Sequence, residues 1–436
     1  MNRSNRHIDI NEQKKIIKKY DMFKWLLFGI GIKRWLALGT MLSVSLGFFI
    51  FAYFMNFKVI SNVHILALCL VVNIVLIIFI FIKILIFIDN ITSIAKEGHL
   101  DDYFIDIKPD SYVPKIAIIG GGTGLSTLLR GIREYGNIDS SKNLSAIVTV
   151  GDNGGSSGKL REEMNMLPPG DIRNCLTALS TEEALLTKLF QYRFKEGSLS
   201  GHSFGNLFIA AMTNITGDFV KAIKESSKIL AVSGKVFPST VTPLELKAIY
   251  EDGTHVTGES QISLNTGKKI RKIELIPEHV EALPEAVNEI EKADAIVIGP
   301  GSLFTSLVPN LLIRDIKNAI INSGAIKIYV CNVMTQPGET DGFTASDHLK
   351  AINSALGQKV IDYIIISDVE NVDPELLERY KQKKAYPVKI DIENLAVQGA
   401  RIVRENISSY SNFLRHDPPK LSKCLLNIIK NSRHLN

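Results

Sequence analysis

Apolar runs of two different lengths alternate with polar stretches along this chain. Two long runs come first, at residues 35–55 and 65–88; the first has no charged side chain and the second only Lys83. Each is long enough to cross a hydrocarbon core of about 30 Å. A signal peptide would not follow a long charged segment, and core helices of this length would normally show a polar face. The pattern predicts a two-helix transmembrane hairpin at residues 35–88.

Lysine and arginine residues orient this hairpin. Nine basic residues lie in the segment 1–34, whereas the loop at residues 56–64 holds only Lys58. The positive-inside rule therefore predicts both termini, and the soluble domain, on the cytoplasmic side of the cell membrane. Residues 10–27 fit either a basic amphipathic helix on the inner leaflet or a solvated tail. Residues 89–114 are polar and predict a linker.

The charge of the chain is unevenly distributed. The whole chain has 50 Lys+Arg and 45 Asp+Glu; residues 1–88 contain 11 basic and 3 acidic residues, which leaves 39 and 42 beyond them. The soluble part is thus slightly acidic, so its overall charge gives no case for a nucleic-acid partner. The four cysteines have no CxxC spacing, which favours free thiols in a reducing compartment over a zinc site.

Short apolar runs alternate with helical patterns from residue 115 to the C-terminus. Runs at 115–120, 144–150, 293–298, 325–331 and 361–367 are typical of buried parallel strands. This alternation predicts a Rossmann-like α/β fold, with a mostly parallel sheet and helices on both faces. Between about residues 240 and 277 the pattern changes, and segments 244–250, 258–263 and 269–276 predict the antiparallel strands of a small β-rich insertion.

Glycine-rich loops follow three of the predicted strands directly. A strand, a glycine turn and a helix together aim backbone N–H groups and a positive helix terminus at a phosphate. Open α/β sheets bind their ligands at the carboxyl ends of the strands. We therefore expect a nucleotide or sugar-phosphate site, although a tight turn alone would explain any single loop. The candidate contacts are Gly121, Gly122, Thr123, Gly124, Asn153, Gly154, Gly155, Ser156, Ser157, Gly299, Gly301 and Ser302.

Two further polar segments precede predicted helices. Asp171 follows a Pro-Pro-Gly break and is expected to cap a helix; Arg173 and Asn174 after it are either ligand contacts or surface residues. His202 and Asn206 flank the start of an apolar helix. A lone histidine is more often structural, but the small polar neighbours of His202 favour a ligand contact or a proton carrier.

Six blocks, taken together, resemble one family. They are residues 120–124, 149–158, 168–174, 201–206, 299–302 and 334–340. In this order they are similar to the YvcK-like proteins, also called gluconeogenesis factors (UPF0052-type), of the CofD-like superfamily. Residues 415–417 resemble the closing motif of that family. The resemblance extends from about residue 114 to the C-terminus, and six ordered blocks are far more specific than one glycine pattern.

The resemblance implies a Rossmann-like fold and a UDP-sugar ligand, notably UDP-N-acetylglucosamine. It also implies a role in cell shape and carbon use without an established reaction or a certain cofactor. With the predicted spans, the chain would be a membrane-tethered sensor that signals through an unidentified regulatory protein partner; a homo-oligomer is also compatible.

Two alternatives stay open. CofD moves a phospholactyl group onto a deazaflavin with the help of a metal ion. For this chain, the hypothesis of a CofD-like transferase needs Mg²⁺ at Asp152 and Asp171, and His202 as proton carrier. Asn153 stands where the family commonly has a second aspartate, and the loss of one carboxylate weakens the transferase hypothesis. The remaining alternative is a membrane scaffold whose pocket binds nothing.

Overall fold

The structure is a computed structural model that describes residues 113–136, 143–181, 184–369, 373–410 and 414–433. The predicted N-terminal segment, both predicted membrane spans and most of the linker lie outside these ranges. Within them, no helix combines the length and the apolar character needed to cross a membrane.

A seven-stranded parallel sheet forms the centre of the domain. The predicted parallel sheet is thereby confirmed. Its strands are β1 (Ile116–Gly120), β2 (Leu144–Val148), β3 (Lys235–Pro238), β7 (Ala295–Ile298), β8 (Ile326–Val330), β9 (Tyr363–Ser367) and β10 (Arg401–Glu405). Every residue of β1, β2 and β7 is buried, which explains why these strands have continuous apolar runs rather than alternating ones.

Strand order places a topological switch at the middle of the sheet. The order is β10-β9-β8-β7-β1-β2-β3, so the chain runs outward from β1 to one edge and later returns to β7, on the other side of β1. The connections after β1 and after β7 therefore lead toward opposite edges of the sheet. In an open α/β sheet, the crevice between two such loops is where ligands bind.

Helices pack on both faces of this sheet. They are α1 (Gly122–Tyr135), α2 (Gly155–Met164), α3 (Gly170–Leu179), α4 (Ala184–Gln191), α5 (Phe204–Thr216), α6 (Phe219–Ile229), α7 (Glu259–Leu264), α8 (Pro284–Glu291), α9 (Val308–Leu312), α10 (Arg314–Asn322), α11 (Ala345–Leu356), α12 (Pro374–Gln382), α13 (Ile392–Ala396) and α14 (Pro418–Arg433), with a π-helical turn at Leu303–Leu307. A hairpin of β11 (Ser408–Tyr410) and β12 (Leu414–His416) precedes α14.

A separate antiparallel sheet occupies the predicted insertion. Its strands are β4 (Glu245–Tyr250), β5 (His255–Thr257) and β6 (Ile270–Ile276), in the order β5-β4-β6. The prediction of a strand at residues 258–263 is wrong, because this stretch forms α7. Gly258 has a φ of +100° and ends the extended run, and Asn153 Oδ1 accepts a hydrogen bond from Ser260 N at 2.9 Å. A contact from a distant loop thus holds the first turn of this helix.

Close packing of α1 against α14 generates a stability prediction. A methyl group at Gly131 would lie 2.3 Å from the carbonyl oxygen of Pro418, so Gly131→Ala must push two backbones apart. We expect a loss of about 1–3 kcal/mol in the free energy of unfolding, despite the better helix propensity of alanine. Gly324→Ala is the control, since a methyl group there meets nothing within 4 Å. Urea unfolding checks both; equal stabilities would contradict the packing.

Candidate functional site

The loop after β1 turns directly into helix α1. Gly121 is extended, Gly122 has a φ of +66°, and no side chain caps the helix. A methyl group at Gly121 would lie 2.6 Å from Thr149 Cγ2 and 2.7 Å from Asp171 Oδ2. Glycine is therefore required at Gly121 for space and favoured at Gly122 for its dihedral angle. The loop thus turns into helix α1 at the switch point of the sheet.

The loop after β7 packs against the loop after β1. A methyl group at Gly124 would lie 2.6 Å from the carbonyl oxygen of Pro300, so the two backbones are in contact. Gly299 has a φ of +83° and starts the turn. Ser302 Oγ does not cap the following helix; it accepts a hydrogen bond from Gln336 Nε2 at 2.8 Å. The structure thus brings the first and third predicted glycine loops together.

A buried carboxyl group already occupies the helix start after β7. Glu339 is 3% exposed; its carboxylate accepts hydrogen bonds from Phe304 N at 3.1 Å and from Thr305 Oγ1 at 3.0 Å. Burial raises the pKa of Glu339 to about 7. These donors therefore serve an internal acid.

A cavity of about 460 Å³ opens above the two loops. Of its lining residues, Lys383 and Arg415 are basic, and the described part of the chain contributes no acidic residue to it. Met334, Ala385 and Leu414 of its outer wall belong to a small separate hydrophobic cluster. The lining comprises Gly121, Gly122, Thr123, Gly124, Thr127, Pro300, Gly301, Ser302, Asn332, Val333, Met334, Thr335, Gln336, Pro337, Tyr380, Lys383, Ala385, Leu414, Arg415 and His416.

The other predicted site residues gather around Ser156, beside the cavity rather than in its lining. Ser156 Oγ lies 3.3 Å from His202 Nδ1 and accepts a hydrogen bond from Asn206 Nδ2 at 3.1 Å. Ser157 Oγ is 3.5 Å from the same Asn206 nitrogen. The structure therefore brings Ser156, Ser157, His202 and Asn206 together.

Three predicted contacts already have partners within the protein. Arg173 Nη1 donates to Ser203 Oγ at 2.6 Å, and its Nη2 donates to Asn174 Oδ1 at 2.7 Å. Asn153 Oδ1 accepts from Ser260 N at 2.9 Å, which ties this loop to the insertion. The first role of Arg173 is therefore to join α3 to the start of α5.

Gly154 and Gly155 shape the loop before α2. The backbone N–H of Gly154 donates to Asp152 Oδ1 at 2.8 Å, and Gly155 has a φ of +49°. Asp152 is thereby held at the base of the loop, with its other oxygen directed to the start of α3. A methyl group at Gly170 would lie 2.9 Å from Asp152 Oδ2.

Asp171 does not cap α3, contrary to the expectation. The N-cap position is Pro169, and Asp171 lies in the first turn, where it accepts a hydrogen bond from the N–H of Gly122. Burial and the neighbouring Asp152 raise the pKa of Asp171 to about 6. Two carboxylates together with substrate phosphates are suitable ligands for Mg²⁺. The described residues hold no group of three or more His, Cys, Asp or Glu side chains arranged for a metal ion.

Glu259 joins these two aspartates from the insertion. It is hydrogen-bonded to Asp152, and burial together with the charges of Asp152 and Asp171 raises its pKa well above the ordinary value. These interactions favour the protonated form of the Glu259 carboxyl group. The three carboxyl groups form an acidic cluster, and none of them lines the cavity; Asp171 Oδ2 lies 2.7 Å from a methyl group placed at Gly121.

Several site residues escaped the sequence patterns. Glu259 was hidden by the wrong strand assignment, and Tyr380 and Lys383 had no signal beyond a helical pattern. Glu339 lies inside the last of the six blocks, and Arg415 inside the closing motif, so these two carried a signal that pointed to them.

Comparison with known proteins agrees with this architecture. The family model described as "2-phospho-L-lactate transferase CofD" matches residues 116–408. A gluconeogenesis factor from Bacillus subtilis (strain 168) is 50% identical over 319 residues, which cover 73% of this chain and 98% of that protein. The chain belongs to the CofD-like family of gluconeogenesis factors.

Other family members extend the comparison. A relative from Nostoc sp. (strain PCC 7120) is 45% identical over 432 residues, which cover 94% of this chain and 93% of the relative. A crystal structure of a UPF0052-family protein from Bacillus halodurans is 48% identical, covers 72% of this chain and 100% of that one, and has a TM-score of 0.69. The predicted family and α/β fold are thereby confirmed.

The protonated Glu259 predicts a pH-dependent stability. Its pKa is raised in the folded state, so the native protein holds a proton that the unfolded chain releases above about pH 4.5. The free energy of unfolding therefore falls as pH rises, and Glu259→Gln removes this contribution. We expect the difference in Tm, mutant minus native, to grow by about 2–4 °C between pH 5 and pH 8 in scanning calorimetry.

The exposed Glu251 of the same insertion provides the matched control. Glu251→Gln should shift Tm equally at both pH values. A Glu259→Gln difference that does not change with pH would show that Glu259 titrates like a solvated glutamate.

Proposed function

We propose that this protein binds a UDP-sugar of the UDP-N-acetylglucosamine type and acts as a regulatory protein. The observation that carries the proposal is the cavity at the switch point, which combines a glycine-loop floor, two basic side chains and an apolar wall. Its volume lies within the range of small-molecule sites, about 300–1,000 Å³.

The inner half of the cavity suits a diphosphate. Helix α1 begins at Gly122 without a side chain that caps it at its N-cap; Asp171 accepts the Gly122 N–H, and the helix dipole with the later first-turn N–H groups favours an anion. Lys383 and Arg415 line the same cavity and add positive charge. An arginine can bind two phosphate oxygens at once, which a lysine cannot.

The outer half suits a flat base. Tyr380 packs on the small cluster that contains Met334 and Leu414, and its hydroxyl accepts a hydrogen bond from Leu414 N at 3.0 Å. That bond fixes the hydroxyl of Tyr380 against β12. An aromatic ring held beside apolar side chains is a suitable contact for a nucleobase.

The biological role follows by similarity. Relatives named gluconeogenesis factors connect the family to central carbon metabolism. Under this proposal the protein is held at the inner face of the cell membrane by its two predicted spans. Ligand occupancy changes the binding of a regulatory protein partner that acts on cell shape, the cell wall and carbon use.

Calorimetric titration of the full-length chain in mild detergent tests the ligand. UDP-N-acetylglucosamine should bind with a Kd between about 1 µM and 1 mM, more tightly than GDP or NAD, with and without Mg²⁺. Arg415→Gln should weaken binding at least about tenfold, because an arginine facing phosphate is lost.

Arg401→Gln serves as the control for this titration. Arg401 lies at the start of the edge strand β10, where its guanidinium contacts the ring of Tyr363 instead of the cavity. Its replacement should leave the Kd unchanged. Tighter binding of GDP than of any uridine nucleotide would contradict the proposal.

A CofD-like transferase is the second candidate function. Asp152 and Asp171 lie side by side at the edge of the glycine loop, as a Mg²⁺-dependent transfer of a phosphate-containing group would require. Incubation with a deazaflavin acceptor, a nucleotide-activated phospholactate and Mg²⁺ should then yield product, and Asp152→Asn should abolish turnover while binding persists. Binding without turnover by the native chain would exclude this candidate.

A further inference from the structure

A row of uncharged polar side chains lines the cavity beside its glycine floor. Gln336 Nε2 donates a hydrogen bond to Ser302 Oγ at 2.8 Å, and Asn332 Nδ2 donates to Gln336 Oε1 at 3.4 Å. Asn332 Oδ1 in turn accepts a hydrogen bond from Gly301 N at 3.4 Å. All four residues belong to the cavity lining. The side chains of Asn332, Gln336 and Ser302, here called the amide row, are therefore part of the cavity surface.

The amide row has hydrogen-bonding capacity that the protein leaves unused. An amide NH₂ group has two hydrogens, and Asn332 and Gln336 each use one of them within the row. The part of the chain that the structure describes offers no acceptor for the second hydrogen of either group. Both bonds of Asn332 are 3.4 Å long, which is near the far limit for a hydrogen bond, so a ligand can replace them at little cost.

The loop that carries Asn332 and Gln336 is held by bonds that do not involve their amide groups. Gln336 N donates to Thr340 Oγ1 and Thr340 N donates to Gln336 O, both at 2.8 Å. Thr335 N donates to Tyr386 O at 2.7 Å. The backbone around Gln336 is therefore fixed, and a change of its side chain alters the amide row without loosening the loop. Such prior ordering lowers the cost of binding a ligand.

The amide row lies between the two parts of the cavity that a nucleotide needs. On one side Asn332 Oδ1 is bonded to Gly301, whose backbone nitrogen is 3.1 Å from a methyl group placed at Gly124 of the floor. On the other side Asn332 is followed directly by Val333, a member of the apolar cluster on which Tyr380 packs. In a nucleotide the ribose connects the phosphate to the base. A phosphate over the floor and a base against the cluster therefore place the ribose at the amide row.

The chemistry of the amide row matches the two hydroxyl groups of a ribose. Vicinal hydroxyl groups donate and accept hydrogen bonds and carry no charge, and amide and hydroxyl side chains do the same. A phosphate would favour the cationic Lys383 and Arg415 instead. We infer that Gln336, with Asn332 and Ser302, binds the 2′ and 3′ hydroxyl groups of the ribose and makes the site selective for ribonucleotides. This inference rests on the proposed nucleotide-binding function.

Paired titrations of the full-length chain in mild detergent with uridine diphosphate and 2′,3′-dideoxyuridine diphosphate test this inference. The native protein should bind uridine diphosphate at least about tenfold more tightly, because the dideoxy analogue offers no partner to the amide row. Gln336→Met keeps the size of the side chain and removes its hydrogen-bonding groups. It should reduce the ratio of the two Kd values to less than about threefold, and change the Kd for the dideoxy analogue by less than about threefold.

Two further variants accompany these titrations. Ser302→Ala removes the hydroxyl group to which Gln336 is bonded, and should lower the ratio of the Kd values in the same direction. Gln382→Met is the matched control, because Gln382 is an exposed glutamine of α12 outside the cavity lining. This variant should keep the full ratio.

The outcomes separate this inference from the proposed function. Equal affinities of the native chain for the two nucleotides, or a ratio that Gln336→Met leaves unchanged, would overturn the inference and leave nucleotide binding intact. Equal weakening of both nucleotides in Gln336→Met would show that this side chain only maintains the fold, and would also overturn it. If Gln336→Met instead changed the preference between uridine and cytidine diphosphates, the amide row would belong to the base and the inference would be wrong. Absence of binding to any uridine nucleotide would overturn both proposals.

Discussion

The contact between two glycine loops at the sheet switch point is the constraint on which the site depends. Gly124 of one loop meets Pro300 of the other with no room for a side chain, and Gly121 is equally confined by Thr149 and Asp171. Buried parallel strands force these loops to the same edge, and their contact sets the floor of the cavity. Any larger residue there would separate β1 from the β7 loop and change the geometry of every group above them.

Basic and acidic side chains lie on different sides of the cavity floor. Lys383 and Arg415 stand on the cavity side, and Asp152, Asp171 and Glu259 on the other. Burial and the neighbouring carboxyl groups raise the pKa values of Asp171 and Glu259, and carboxyl groups perturbed in this way concentrate at functional sites.

The small insertion is part of the site rather than an appendage. Its helix α7 lies between the loop before α2 and the loop that carries Glu339. The insertion is thus tied to two loops of the α/β core. Residues 258–263 have the pattern of a strand, but Glu259–Leu264 form helix α7 because Gly258 turns the chain and Asn153 binds the first turn.

Much of the architecture was determined by the sequence alone. Continuous apolar runs identified the strands β1, β2, β7, β8 and β9, because a strand that is covered on both faces has no polar side. The glycine motifs located the loops at the ends of strands. Only the tertiary structure decided which polar residues share a surface. Glu259 and Asp152 are 107 positions apart, and their hydrogen bond depends on how the insertion folds back. The raised pKa of Glu339 was likewise decided only by the tertiary structure, because the pKa of a buried carboxyl group depends on neighbours that no local sequence pattern can specify.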